Sequence, residues 1–418
     1  MMIQRKPFKA LADIRTSNVD KKTVIGQQVV ELCNYTDVYN SDAIKSGMEF
    51  MVASASDVQV NRLTLRGGDV IFTKDSETPD DIAVSAFVPV DLPGVVCGYH
   101  LAIASPRKGV ALGRFIYWAM QSKEVISQFQ VAATGVTRFG LRQSSIGDVL
   151  VPAPPVNEQQ RIANLLDREC SQMKVVVEEH EHLATLVEER DRTAVKRLIT
   201  GQDVAGPHEM RGPWWLAPTP SSWKPYKISR NFRTGSGTTP RSGDHRYYGG
   251  PYPWLNTGEC NDSLVFETAK TVTDEALAEH SALKFYPAGS VVVAMYGATI
   301  GKLAVLGAPM TLNQACVALY EPKNLDPWFT YWWLWAHRTE LMIMGEGGGQ
   351  PNINQETVKQ LVIPAPDRGE QHRIVDRIVE MRSWSQQIRE SVDEQSILLA
   401  ERREALITDS VAGLKEVA

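Results

Sequence analysis

The segment "VPAPPVNEQQRI" at residues 151–162 returns as "IPAPDRGEQHRI" at residues 363–374, 212 positions downstream. Aligned without a gap, residues 151–201 and 363–413 agree at 13 of 51 positions, where background composition accounts for about three. A chain that repeats so long a segment folds as two related modules, each ending in the same element. Prolines 152, 154 and 155 exclude a helix interior at the start of the segment, because a proline ring removes a backbone donor and clashes with the preceding turn. No proline or glycine then follows until Gly201. The pattern predicts a helix with Asn157 as its N-cap and Gly201 as its stop behind Lys196 and Arg197. Such a helix is a rod of roughly 65 Å at about 1.5 Å per residue.

Apolar residues recur along it at steps of three, four and seven: Leu166, Met173, Val176, Leu183, Val187 and Ala194. The second copy has Ile378, Met381, Ile388, Val392, Leu399 and Leu406. So narrow a stripe is a coiled-coil seam rather than a helix face buried in a globular domain. Glu169, His180 and Arg190 interrupt the first seam, and Ser385, Gln395 and Arg402 the second. Two marginal seams in one chain pack most simply on each other, side by side and antiparallel. The competing arrangement, two separate solvated helices, leaves each without the partner surface that an amphipathic helix needs.

The repeat extends backwards. Phe115-Ile116-Tyr117-Trp118 matches Phe329-Thr330-Tyr331-Trp332, "FGLRQSSIGDVLVP" (139–152) matches "PNINQETVKQLVIP" (351–364), and the strand-like "GGDVIF" (67–72) matches "AGSVVV" (288–293). The expected architecture is α+β: mixed α/β domains at 1–150 and 213–365, and long helices within 151–212 and 366–418. Packed antiparallel, the helices would carry the two domains to opposite ends of a rod, a ruler with a reading head at each end.

Composition narrows the function. No run of 18 apolar residues occurs, so no membrane span is expected, and the N-terminal residues lack the apolar stretch of a secretory signal, which points to the cytoplasm. The five cysteines are scattered and never in a C-x-x-C pair, which argues against both a disulfide framework and a thiolate metal site. The net charge of −5 is unpromising for a nucleic-acid binder until it is divided along the chain. Each repeated helical segment carries 8 basic against 11 acidic residues, whereas residues 1–150 come to +1 and 213–365 to zero. Local basic faces therefore fit on the two domains.

With the repeated Pro-rich turn and Glu-Gln in place, the whole chain resembles the specificity subunit of a type I restriction-modification system. "RTSNVDKK…ELCNYTDVY" (15–39) and "MYGATIGKLAVLGAPMTLNQACVAL" (295–319) resemble segments common in the target recognition domains of that family. The resemblance implies a subunit that contacts the bases of a two-part site in double-stranded DNA. It implies as partners two modification subunits that methylate adenine, together with restriction/translocase subunits. S-adenosylmethionine would belong to the methyltransferase partner and ATP and magnesium to the restriction subunit, with no cofactor on this chain. Residues 1–40 contain no obvious leading helix, a departure from the circular arrangement the family implies.

The densest DNA-binding candidate is residues 223–250, with six Lys or Arg against one acid, interleaved with tyrosines. Its Ser236, Thr238, Arg241, Arg246 and Tyr247, with Asn256 just beyond, are candidate contacts; an arginine fork matches guanine O6 and N7. In the first domain the candidates are Thr16, Asn18, Lys21, Lys22, Asn34, Tyr35, Lys74 and Arg138, the asparagines suiting adenine and the lysines phosphate. Gln350 and Asn352, in "GEGGGQPNIN", complete the set. For each stretch the competing reading is a solvated turn with purely local roles. "GATIGK" (297–302) has the wrong glycine spacing for a phosphate loop and is expected to be a turn between strands. "YWWLW" (331–335) is expected in the core. No adenine-gripping tetrapeptide, methyl-donor fingerprint or catalytic constellation is legible, so no catalysis is expected of this chain. A coiled-coil adaptor that binds proteins is the alternative, and a self-sufficient modification enzyme is disfavoured by the missing motifs.

Overall fold

A computed structural model describes residues 3–343 and 353–414. The chain divides into two compact units, residues 1–181 with 392–418, and residues 182–391. Each long helix therefore contributes one part to each unit.

In the first unit, a four-stranded antiparallel sheet runs in the order Ala12–Thr16, Leu101–Pro106, Val70–Thr73, Ser85–Phe87. A second sheet has the order Met51–Ala55, Gln28–Cys33, Val95–Cys97, the last two parallel. In the second unit the larger sheet is Arg233–Ser236, Cys316–Tyr320, Val291–Ala294, Leu303–Leu306, with Ser263–Val265 added in parallel at the edge. Its smaller sheet is Thr271–Val272, Tyr248–Leu255, Thr311–Leu312, again ending in a parallel pair. The two units repeat one design, with the extra edge strand in the second.

Side-chain alternation explains the layers. Successive residues of a strand face opposite ways. Val70 and Phe72 join a core that includes the helix Gly113–Gln121, while Ile71 joins the core beneath the smaller sheet. Likewise Val291 and Val293 pack with the helix Pro327–Ala336, and Val292 and Ala294 with the other side. The central strands are thus apolar on both faces, covered by a helix and by a second sheet. Trp333 and Phe329 are completely buried, as expected for the aromatic run.

The Pro-rich phrases close the units. Leu150–Pro152 pairs with Arg5–Pro7, and Val362–Ala365 with Lys224–Lys227, so the end of each domain is tied to its start. The long helices follow as Val156–Thr200 and Arg368–Ala412, 45 residues each. Asn157 is not the N-cap: the first helix begins at Val156, and the Pro155 carbonyl accepts the N–H groups of Glu158 and Gln159 at 2.9 Å. In the second copy Asp367 fills the capping position, its carboxylate accepting the Glu370 N–H at 3.0 Å. The stop at Gly201 is as expected, and Gly413 repeats it. Gly201 (φ 67°) and Gly413 (φ 71°) take the left-handed conformation, and the next N–H reaches back to Arg197 and Asp409 respectively.

The repeated Glu-Gln has a definite task. Gln159 is 1% exposed; its Oε1 accepts the Leu112 N–H at 2.9 Å, and its amide donates to the carbonyls of Val110 and Pro154. Gln371, 0% exposed, repeats this with the Asp326 N–H at 2.8 Å and the carbonyls of Asn324 and Pro366. Each glutamine bolts the start of a long helix to the turn that opens the domain's aromatic helix.

The helix pair is antiparallel within each unit: His180 meets Ser396 at 3.1 Å in the first, and Asp191 meets Ser385 at 2.8 Å in the second. Its seam is phased differently from the apolar expectation. Leu166, Met173 and Val187 are buried, but Val176 and Leu183 are 37% and 42% exposed, and Cys170, Val177, His180 and Asp191 take the inward positions. On the second helix Ile378 and Val392 are buried and Met381, Ile388 and Leu399 half-buried, while Arg382, Ser385 and Arg389 share the seam. Among the described residues no helix is long and apolar enough to cross a membrane, no cluster of His, Cys, Asp or Glu is placed to hold a metal, and all five cysteines are free and buried.

Candidate nucleic-acid interface

In the first unit one end of the larger sheet gathers the candidates. Strand Ala12–Thr16 leads into residues 17–22, Val70–Thr73 into Lys74, and Leu101–Pro106 is entered from His100 at the same edge, since Thr16 pairs with Ala102 and Thr73 with Leu101. Gly98 ties Asn34 to this end by donating to the Cys33 carbonyl. A small ribbon of Asp75–Ser76, Phe139–Gly140 and Thr134–Gly135 brings in Arg138. Lys21, Tyr35 and Arg138 line a cavity of about 380 Å³ with Tyr39, Asp75, Asp81 and His100.

The chemistry of this cavity is mixed. Asp75 binds Lys74 at 2.8 Å and His100 at 3.0 Å, and Lys74 lies over the Tyr99 ring at 4.7 Å. The Tyr35 and Tyr39 rings stack at 5.6 Å, and their hydroxyls donate to Asp81. Burial and the Asp81 charge push the Tyr35 hydroxyl up to about 12, so it stays a donor. Lys21 and Arg138 are exposed. The other candidates have local partners: Lys22 with Asp20 at 3.2 Å, Asn18 accepting from Gln59 at 3.1 Å, Thr16 donating to Gln143 at 3.4 Å.

The second unit builds the equivalent end from Ser236–Thr239, Asn256 and residues 313–315. Gly237 and Thr238 donate to Asn313 and Leu312, and the Thr239 hydroxyl donates to Gln314. A Cβ on Gly237 would lie 1.6 Å from the Leu312 carbonyl oxygen, so only glycine fits this crossing. The basic stretch folds back on strand Tyr248–Leu255, with Trp254 donating to the Thr238 carbonyl at 3.1 Å and Tyr248 to Pro240 at 2.7 Å. Arg241 is exposed. Arg246 is held by Asp244 at 2.7 Å and Glu275 at 2.8 Å, bonds that raise its already high pKa. Tyr247 is 7% exposed and donates to Glu279, so its ring belongs to a small core. Gln350 and Asn352 lie outside the described residues. "GATIGK" sits between strands Val291–Ala294 and Leu303–Leu306, with positive φ at Gly297 and Gly301.

Asn34 and Asn256 occupy the same place in the two units. Each follows a strand that ends in parallel pairing and opens a short helix. In each, the backbone N–H donates to the carboxylate three residues on, Asp37 at 2.6 Å and Glu259 at 3.1 Å. Asn34 is 8% exposed, and the Asn256 side chain accepts from Gly258 at 2.9 Å. Both asparagines act as corners in this structure. Sequence reasoning did not single out Asp75, Asp81, His100 or Gln314. They lie far apart in the chain, and nothing local marks them.

Residues 220–391 match the family model for the type I restriction modification DNA specificity domain. Two relatives align with part of the chain. The specificity subunit of the type I restriction enzyme EcoR124I/EcoR124II from Escherichia coli is 24% identical over 166 residues, 38% of this chain and 41% of that one. The MjaIX specificity subunit from Methanocaldococcus jannaschii is 24% identical over 184 residues, 41% of this chain and 42% of that one. Residues 220–391 thus resemble a type I restriction modification DNA specificity domain, and part of the chain is similar to type I specificity subunits. The aligned part thus spans less than half the length of each relative. Two solved structures share the fold of this chain over nearly its whole length. The HsdS subunit from Thermoanaerobacter tengcongensis has a TM-score of 0.54 at 18% identity, covering 98% of this chain and 96% of its own. A chain from a study of complex assembly and conformational transition in a type I R-M system has a TM-score of 0.69 at 16% identity, covering 99% and 98%.

Proposed function

We propose that this chain is the cytoplasmic DNA-reading subunit of a type I restriction-modification complex, each unit recognising one half of a bipartite site in double-stranded DNA. What supports this reading most is the duplicated sheet end, which in both units gathers loops from the same places in the fold but carries different side chains. Two such ends suit a site with two unlike halves. In the first unit Lys21 and Arg138 contact phosphate or base edges beside the tyrosine pair; in the second Arg241, Ser236 and Thr238 do so. Arg246 and Tyr247 hold the second loop in shape rather than meeting bases, because their polar atoms are already engaged.

The helix pair sets the separation of the half-sites and docks two adenine methyltransferase subunits, which bind S-adenosylmethionine. Restriction/translocase subunits supply the ATP- and magnesium-dependent steps. This chain positions DNA and leaves the chemistry to its partners.

Methylome sequencing of cells carrying the complete system tests the assignment. Arg241→Ala should relax or abolish methylation through one half of the motif, at about 1–3 kcal/mol per base contact. Equal loss across both halves would make Arg241 a phosphate contact. Deleting matched heptads from both long helices should change the spacer length, and an unchanged spacer refutes the ruler. A binding constant insensitive to salt would favour a protein-binding adaptor instead.

A further inference from the structure

The two long helices come from one repeated segment, yet their seams are not interchangeable. In the second unit the seam is polar. Asp191 is 0% exposed and accepts hydrogen bonds from Ser385 at 2.8 Å, Arg382 at 3.2 Å and Arg190 at 2.8 Å, with Arg389 at 3.7 Å. Glu188 shares Arg382 at 3.0 Å and Arg389 at 3.4 Å. By the repeat, the counterparts of Arg382, Ser385 and Arg389 are Cys170, Met173 and Val177, and the counterpart of Asp191 is Arg403. In the first unit those positions make an apolar seam, where Cys170 and Met173 pack with Leu406 and Ile407, and Arg403 turns aside to Gln121 at 2.6 Å.

The consequence follows from exchanging partners. If the first long helix met a second copy of itself in the same register, Asp191 would face Cys170, Met173 and Val177, a buried carboxylate left with Arg190 of its own helix and no cation from the facing one. If the second helix met itself, Arg382 and Arg389 would face Arg403, three guanidinium groups with no acid among them. Breaking a buried charge pair so that one partner is left alone is among the more destabilising changes available to a protein. Only the pairing of first helix with second gives Asp191 the cations of a facing helix and gives those cations an acid. We infer that the Asp191 cluster makes the seam of the first long helix selective for the second long helix and closes it to the same helix of a second copy of this chain. The need is evident in the chain order: the first helix ends at Thr200 and the second begins at Arg368. The first helix is complete while its partner is still unmade, and neighbouring nascent chains present the same seam to it.

The test uses full-length protein. Two copies with different affinity tags are co-expressed, purified through one tag, probed for the other, and weighed by sedimentation equilibrium. The native chain should show no mixed-tag species and a mass near 46.4 kDa. Asp191→Leu removes the barrier to self-pairing and leaves Arg382 and Arg389 with Glu188 as their one shared acid, so mixed-tag dimers should rise at least tenfold. The charge swap Asp191→Arg with Arg382→Asp should return the chain to monomer. Should Asp191→Leu fail to fold, the fully apolar variant (Asp191→Leu, Arg382→Leu, Ser385→Leu, Arg389→Leu) keeps the seam filled and should fold with mixed-tag dimers present. A folded Asp191→Leu or apolar variant that stays as monomeric as the native chain overturns the inference, as does a native chain that already exchanges tags.

Discussion

Replacing Gln371 with alanine should cost the second unit about 3–5 kcal/mol. The side chain is completely buried and makes three hydrogen bonds, accepting from the Asp326 N–H and donating to the carbonyls of Asn324 and Pro366. Truncation strands one buried donor and two buried acceptors, each worth about 1–3 kcal/mol when left unsatisfied. The lower part of the summed range applies, because a carbonyl has a second lone pair and water can enter the space of the lost amide. The assay is urea unfolding followed by tryptophan fluorescence. Trp118 is the one tryptophan in the first unit, so nine of the ten report on the second. With a urea dependence of about 2–3 kcal/mol/M, the midpoint should fall by roughly 1–2.5 M. Gln386→Ala, on the exposed side of the same helix, should move it by less than about 0.3 M, given the good helix propensity of alanine. A Gln371→Ala midpoint no lower than that of Gln386→Ala would refute the bolt, and the repeated Glu-Gln would need another explanation.

Three further outcomes are expected. Gly237→Ala should destabilise the second unit by about 1–3 kcal/mol, since its Cβ would lie 1.6 Å from the Leu312 oxygen; an unshifted thermal midpoint would contradict the close crossing. Lys21→Ala and Arg138→Ala should each lower the salt dependence of DNA binding by about one counterion, and an unchanged slope in both would remove them from the interface. His337 is fully buried, its Nδ1–H donating to the Trp333 carbonyl and its Nε2 without a partner among the described residues, and burial holds its pKa below the ordinary value. The folded state therefore binds the proton less readily than the unfolded one. Stability from this residue is full above about pH 6.5 and declines as the pH falls toward the lowered value. Melting curves between pH 7.5 and 5 should show that decline, and His337→Phe should flatten it; an identical slope in the variant would refute the assignment.

How much was legible from the sequence depended on how local the cause was. The helix stops at Gly201 and Gly413 follow from backbone geometry that glycine alone adopts cheaply, and the prolines before each helix mark where it cannot yet begin. The duplication itself placed in matching positions the aromatic helices and the turns at Gly68 and Gly289 that lead into the strands Val70–Thr73 and Val291–Ala294. Asn157 was misread because a proline carbonyl can open a helix without a side-chain cap. The seam was misphased for a related reason: Val176 and Leu183 obey the apolar spacing, while the inward positions go to His180 and Asp191.

By itself, then, the amino-acid order determined two modules, two long helices with their ends, and the helical core made by each aromatic run. These rest on periodicity and backbone stereochemistry, which act within a few residues. Only the tertiary structure decided that Gln159 and Gln371 are bolts, that Asn34 and Asn256 are matching corners, that Asp75 meets His100, and that Asp191 is buried among arginines. Hydrogen bonds and ion pairs join residues far apart in the chain, and an aspartate destined for the interior is written with the same letter as one left in water.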